Sequence, residues 1–266
     1  MRQIKTSMGF RLALIAAWLV ALFMVLPVLI VLPASLTPNN YLSLTTPDTW
    51  TLKQYATFFD PGQRWLGPLI QSLVIASGST IISVALGTAC AVGIWRIGGR
   101  YGQWILLLVL TPLIVPVVAL AIGSYKVWVQ IGLFDTYIGA MIAHSVQTMP
   151  LVVLAILAAL STIDLTLERA VLSLGGSSWT FIRYVLIPVL RPAIFSSAAL
   201  AFLLSWDELV MTIFVSGRTI VTLPKRMWEA VRTATDPVVA VAASVMIFAT
   251  FALVVASFIN DRRRLR

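Results

Sequence analysis

Ser161-Thr162-Ile163-Asp164-Leu165-Thr166-Leu167-Glu168-Arg169-Ala170-Val171-Leu172-Ser173-Leu174-Gly175-Gly176-Ser177-Ser178-Trp179-Thr180-Phe181-Ile182-Arg183-Tyr184-Val185-Leu186-Ile187-Pro188 separates two long apolar runs, Tyr137 to Leu160 and Ala193 to Val215. Its own pattern is amphipathic. Ser161 and Asp164 have the spacing of a capping box, with Asp in place of the preferred Glu, so a helix is predicted to start there. Ile163, Leu167, Ala170, Val171 and Leu174 then share one face. Gly175-Gly176 predicts the end of that helix, and Ser178 a cap for a second one reaching Val185. Two short helices meeting at a glycine turn, set between membrane-length runs, form an apolar-faced protrusion. A docking surface for another protein is the economical explanation.

The flanking runs belong to a set of six. A helix crossing roughly 30 Å of hydrocarbon needs about 20 apolar residues. Leu12 to Leu32, Leu69 to Trp95, Trp104 to Gly123, Tyr137 to Leu160, Ala193 to Val215 and Val238 to Ile259 all qualify. Composition agrees: 59% of the 266 residues are hydrophobic and 11% charged, where soluble domains have roughly 45–50% and about 25%. Those values exclude a water-soluble globule and a disordered chain. The first run follows the basic start Met1-Arg2-Gln3-Ile4-Lys5, but it is longer than the 7–15 apolar residues typical of a secretory signal, so it reads as an uncleaved helix. A six-helix, all-α polytopic membrane protein is the predicted fold class.

The formal charge of +9 would raise nucleic acid in a soluble chain. In a membrane chain it reports orientation. With both termini inside, 12 Lys and Arg fall in inner segments and 7 in outer ones, which favours cytoplasmic termini. Net charge is then +9 inside and +2 outside, with Asp207 and Glu208 inside the fifth run. The tail Asp261-Arg262-Arg263-Arg264-Leu265-Arg266 reads as a contact for anionic lipid, not as a nucleic-acid arm.

Small residues recur along the second run, with Ser83, Gly87 and Ala91 on one ridge and Ala85, Ala89 and Gly93 on a neighbouring one, so this helix is predicted to pack centrally. Pro112, Pro116 and Pro150 each remove a backbone hydrogen bond inside a run. Broken helices at membrane depth suit a protein lining a pathway, and a simple packing kink is the other reading. The segment Pro33 to Pro68, rich in Pro, Thr and aromatics, is predicted to carry one short helix near Leu52 to Phe59 and a turn at Asp60-Pro61-Gly62. Cys90 is the only cysteine and His144 the only histidine, which excludes a disulfide framework and a His or Cys metal cluster. His144 reads as a hydrogen-bonded interior group and Cys90 as inert packing.

The inner loop resembles the "EAA" loop of permease subunits of bacterial ATP-binding-cassette importers. Counting back from Gly175 puts Arg169, Ala170 and Val171 at the three opening positions, with Glu168 one step earlier, and counting forward reaches Val185-Leu186-Ile187-Pro188. The Gly-to-Pro spacing is kept, while Arg replaces the opening Glu and Val the second Ala. Either Glu168 or Arg169 is then the residue facing the ATPase. Thr111 to Pro116, His144 to Pro150, Leu204-Ser205-Trp206-Asp207-Glu208, Thr222-Leu223-Pro224 and Met227-Trp228 are similar to the second permease of spermidine/putrescine-type importers, a group that also serves opines and aminobutyrate.

The resemblance implies a type I importer permease fold in a bacterial inner membrane, with 1–266 a single transmembrane domain. Its parts would be a cytoplasmic N-terminus at 1–11, a periplasmic loop at 33–68, a cytoplasmic coupling loop at 161–188 and a cytoplasmic tail at 260–266. It also implies a heterodimer with a second permease, an ATPase dimer holding ATP and magnesium, and a periplasmic solute-binding protein. Leu167, Glu168, Arg169, Ala170, Leu174, Gly175, Arg183 and Pro188 would form the coupling surface. This chain has no Gly-x-x-x-x-Gly-Lys-Ser/Thr loop, so it is expected to bind no cofactor and to be no enzyme itself.

Ionisable side chains within a span cost at least about 2.5–3.5 kcal/mol each and are expected to face a wet cavity or a partner. Asp207 or Glu208, beside Trp206, would meet a solute ammonium by charge and cation–π attraction. The other reading is a structural ion pair or a hydrogen bond that shapes the helix. A membrane-embedded enzyme finds no nucleophile or metal constellation in the sequence. A self-sufficient secondary transporter would have to be a homodimer using these two acids.

Overall fold

A chain in hydrocarbon has to satisfy its backbone internally, which leaves helices as the way for single apolar runs to cross. The computed structural model describes residues 8–264 other than 42, 45, 165, 234 and 235, with side chains at 233 and 258–264 outside the description. Arg2, Lys5 and the charges of the tail therefore lie outside the described residues. In order, the helices are α1 Met8–Ser35, α2 Lys53–Phe59, α3 Leu66–Ile97, α4 Gly99–Ile114, α5 Val117–Ile131, α6 Tyr137–Leu160, α7 Thr166–Ser173, α8 Ser178–Phe181, α9 Ile187–Trp206, α10 Val210–Val215, α11 Leu223–Thr233 and α12 Val238–Arg264. No strand occurs among the described residues.

Among the described residues five helices are long and apolar enough to cross a membrane: α1, α3, α6, the continuous stretch Ser178–Trp206, and Val238–Ser257 within α12. The third predicted run, Trp104 to Gly123, is in two pieces, α4 and α5, which meet at 102°. Pro116 explains the bend. It forces Val115 into an extended conformation (ψ 131°) and stands as the N-cap of α5. Pro112 and Pro150 lie inside unbroken helices, so of the three prolines only Pro116 breaks its span.

The chain divides into two compact units, Met1–Trp65 with Glu229–Ala249, and Leu66–Trp228 with Thr250–Arg266. In the first, α1 is apolar and exposed all round, with Trp18 71% and Phe23 76% exposed, a surface that calls for lipid or another polypeptide. The segment after it is folded. The Ser35 hydroxyl meets Tyr55 Oη at 2.9 Å, Gln54 donates to the Asn39 carbonyl at 2.8 Å, and Phe58 and Trp65 are buried with ring centroids 6.2 Å apart. The short helix α2 and the Asp60 turn fall where the sequence predicts them.

In the second unit α3, α6 and α9 pack on one another. Ser83, Gly87 and Ala91 are buried in this packing, as the first small-residue ridge predicts, whereas Ala85 and Ala89 are exposed. A Cβ at Gly87 would lie 3.0 Å from Val152 Cγ1, so the glycine sets how closely α3 approaches α6. Hydroxyls line the same seam: Ser83 and Thr148 are 2.7 Å apart, and the Ser145 hydroxyl, 2.7 Å from the Met141 carbonyl of its own helix, also lies 3.2 Å from the Ser79 carbonyl. At one end, Ala91, Val152, Ile156, Leu160, Phe181, Leu186 and Leu190 form an apolar core that reaches into the 161–188 loop.

Candidate functional site

The 161–188 loop departs from two predicted short helices. Ser161 spends its hydroxyl on the Ala158 carbonyl at the end of α6, so the predicted capping box is not made. Asp164 starts α7 instead, accepting the Thr166 N–H at 2.8 Å. That bond, with the Thr166 hydroxyl and the Arg169 charge, holds the Asp164 carboxyl below its usual range. At the far end Gly175 adopts φ +83°, a region that favours glycine. Gly176 N–H returns to the Val171 carbonyl and Gly175 N–H to that of Leu172, which is a Schellman closure.

Ser177, not Ser178, is the next cap. It exchanges hydrogen bonds with Thr180 in a full capping box, worth about 1 kcal/mol. The helix begun there does not stop near Val185. A π-turn over Ile182–Leu186, closed by Ile187 N–H to the Ile182 carbonyl, carries it into α9. Pro188 has no N–H to give, and the wider turn lets the chain pass it without a break. The loop is thus one short helix and the leading end of a long one.

The predicted apolar face divides in two. Ile163 and Val171 pack against the core and Phe181 is fully buried, which anchors the loop. Leu167, Ala170 and Leu174 are exposed, Leu174 at 89%. Glu168 is paired with Arg96 at the end of α3, at 2.5 Å. Arg169 is exposed, and Arg183 is exposed with its guanidinium 5.8 Å from the centre of the Tyr184 ring.

The fifth predicted run, Ala193 to Val215, is broken where the acids stand. α9 ends at Trp206 and α10 starts at Val210, which leaves Asp207 and Glu208 in the break. Glu208 Oε1 accepts the Met211 N–H at 2.8 Å, so this carboxylate caps α10. Asp207 is exposed. Trp206 is 3% exposed and stacks on Phe202 with centroids 5.9 Å apart, while its indole N–H has no hydrogen-bond partner. Geometry therefore separates the three: a buried ring, an exposed carboxylate and a capping carboxylate.

Two further sites lie outside the predicted site residues. Asp135, between α5 and α6, accepts N–H groups from Gly217, Arg218, Thr219 and Ile220 at 2.8 to 3.1 Å. Partial burial pushes its carboxyl up, but these donors outweigh that and hold it down at about 2. Lys225 serves the carbonyls of the same turn, donating to Gly217 at 2.6 Å and to Ser216 and Ile220 at 3.3 Å. The donors lie more than 80 residues from Asp135, so spacing could not have revealed the clasp. The other site is His144, predicted as an interior group, whose ring bonds Ser205 and Thr212 on opposite sides of the break.

Six candidate apolar spans among the described residues, counting the bent pair α4 and α5 as one, and a loop with an exposed apolar tip define a polytopic membrane protein. Residues 83–265 match the family described as the binding-protein-dependent transport system inner membrane component, and the chain belongs to that family. The spermidine/putrescine transport system permease protein PotC of Haemophilus influenzae is 28% identical over 194 residues, covering 73% of this chain and 76% of that one. The trehalose transport system permease protein SugB of Mycobacterium tuberculosis is 26% identical over 209 residues, covering 77% and 76%. A bacterial alginate ABC transporter, crystallised with its alginate pentasaccharide-bound periplasmic protein, shares the fold over 98% of both chains, with a TM-score of 0.73 at 14% identity. An inward-facing MetNI methionine ABC transporter aligns over 74% of this chain and 96% of its own, with a TM-score of 0.60 at 15% identity. The fold is that of a type I ABC importer permease. The chain is a permease subunit of an ABC importer, a membrane component distinct from the ATPase.

Proposed function

We propose that this chain is one half of a heterodimeric pathway that passes a small solute, of polyamine, opine or aminobutyrate type, from a periplasmic binding protein to the cytoplasm. The exposed tip of the 161–188 loop is the observation that supports this most. Leu167, Ala170 and Leu174 stand free around a turn fixed at Gly175, while Ile163, Val171 and Phe181 fasten the loop to the bundle. An apolar tip on a rigid mount suits a lever better than a flexible tether. In this reading an ATPase dimer holding ATP and magnesium receives the tip, and the chain itself binds no cofactor.

Glu168 is occupied by Arg96, so Arg169 and Arg183 are the charges left to set register at the rim. Pro188 and the π-turn carry the push on into α9. Both termini and this loop are cytoplasmic and the 33–68 loop periplasmic, an orientation supported by the Lys and Arg excess. The basic tail meets anionic lipid. Asp207 supplies the charge for a solute ammonium, with Trp206 packed behind it and Glu208 holding α10.

The test is uptake into vesicles holding the chain with its second permease, ATPase and binding protein. ATP-dependent uptake is expected, and Leu174→Asp should lower uptake at least about tenfold while ATP hydrolysis persists, because a charge at an apolar contact loses its burial. Uptake by this chain with no ATPase present would instead make it a secondary transporter.

A further inference from the structure

His144 bridges a gap that the neighbouring helix does not close for itself. Ser205 lies in the last turn of α9 and Thr212 in the first turn of α10, with Asp207, Glu208 and Leu209 between the two helices. The imidazole, 1% exposed, reaches both: Nδ1 is 2.8 Å from Ser205 Oγ and Nε2 is 3.0 Å from Thr212 Oγ1. Counting hydrogens gives these bonds a direction. With the Thr212 hydroxyl hydrogen on the Glu208 carbonyl, 3.0 Å away, its oxygen would accept toward the ring and Nε2 would carry the hydrogen. A ring with one hydrogen then accepts at Nδ1 from the Ser205 hydroxyl. The relay runs from Ser205 through the ring and Thr212 to Glu208, starting on one side of the break and ending on the other.

The ring sits on a fixed post. α6 is tied to α3 one turn further on, where Thr148 meets Ser83, and again where Ser145 reaches Ser79. α9 and α10 are short of mutual bonds across the break, since Asp207 N–H still looks back to the Leu203 carbonyl and Glu208 N–H to that of Ser205. Packing of α9 on α3 and α6 and of α10 on α5 places the two pieces, and His144 is a side chain hydrogen-bonded to both.

We propose that Asp207–Leu209 is a hinge in the fifth span and that His144 is its positioning residue, setting the angle at which the Asp207 carboxylate is shown to solute. Losing either hydroxyl contact removes one polar tie to α6, while α9 keeps its packing on α3 and α6 and α10 its packing on α5. This rests on the importer reading for its functional consequence, but the hydrogen-bond relay stands apart from it.

Two arms test the proposal separately. The chain has one histidine, so the full-length protein with ¹⁵N-histidine in lipid bilayers gives one imidazole signal pair in solid-state NMR. A ring with Nε2–H and bare Nδ1 is expected, with Ser205→Ala shifting the Nδ1 resonance and Thr212→Val the Nε2 resonance. An Nδ1–H tautomer, an imidazolium, or a ring indifferent to both substitutions would overturn the relay. In the assembled transporter, Ser205→Ala and Thr212→Val should each cut solute uptake about tenfold, the cost of one lost buried hydrogen bond, and His144→Leu, which loses both contacts, at least as much. His144→Gln, which keeps a donor and an acceptor, should recover most of the loss. In the His144→Leu background the two hydroxyl substitutions should add nothing. Additive losses, or His144→Gln as poor as His144→Leu, would make the residue a packing element and overturn the hinge. Absence of ATP-driven uptake in the parent transporter would remove the importer reading, while the spectroscopic arm would still decide the relay.

Discussion

Asp135 holds a left-handed backbone, φ 57°, and faces four consecutive N–H groups of the turn between α10 and α11, while Lys225 serves the carbonyls of that turn. Charge-assisted bonds of this kind are roughly twice as strong as neutral ones. Replacing Asp135 with Ala should speed amide exchange at Gly217, Thr219 and Ile220 by at least about tenfold, read by hydrogen-exchange mass spectrometry. The pH dependence follows from the lowered carboxyl, held at about 2 against about 3.9 in an unfolded chain. Its stabilisation is fully present above about pH 4 and is lost as pH falls through about 2, so protection of this turn should stay level between pH 7 and 5. A fall in protection within that range that Asp135→Ala abolishes would contradict this assignment.

Among the elements, α7 has the most legible sequence and the most altered outcome. Its glycine end was readable because Gly175 follows a periodic apolar face, and φ +83° there is what the Gly-Gly pair predicts. Its start was not, because Ser161 has two uses for one hydroxyl and the carbonyl of Ala158 is nearer in the chain. The pairing of Glu168 with Arg96 joins residues 72 apart in sequence and was equally invisible. Such partly exposed pairs contribute about 0.2–1 kcal/mol, too little to hold the fold; if the loop acts as the proposed lever, the pair would align it. Arg96→Glu and Glu168→Arg should each reduce uptake per ATP hydrolysed, and the double exchange should restore it. If the double variant is no better than the singles, the pair does not transmit motion. The break at Pro116 was legible in residue type, since proline shifts its predecessor out of the helical region, but nothing in the spacing said that Pro112 and Pro150 would be absorbed. The break at Asp207 was hidden by the apolar residues on both sides of it.

At the scale of the whole molecule, the low charged fraction and the six runs were readable from composition, because the bilayer imposes length and polarity on any chain that crosses it. Orientation is testable with few changes, since Cys90 is the only cysteine. In a Cys90→Ala background, cysteine placed at Leu174 should react with a membrane-impermeant maleimide only in inside-out vesicles. Cysteine placed at Arg218, on the exposed part of the Asp135 turn, should react only in right-side-out ones. The opposite pattern would invert the topology. Through most of its length α1 exposes apolar side chains that call for lipid or another polypeptide, while Ala34 and Ser35 at its end are buried.

The π-turn at Ile182–Leu186 has a geometric consequence for force transmission. A π-turn inserts one residue into an otherwise α-helical rod, and one residue corresponds to about 100° of rotation. Trp179 and Arg183 are therefore out of phase with the face that α9 presents further along, as if the rod had been cut, turned and rejoined. In the proposed lever, a push at the loop would reach the span with a built-in angular offset. The composition of neither face records that offset; it is carried by the turn alone.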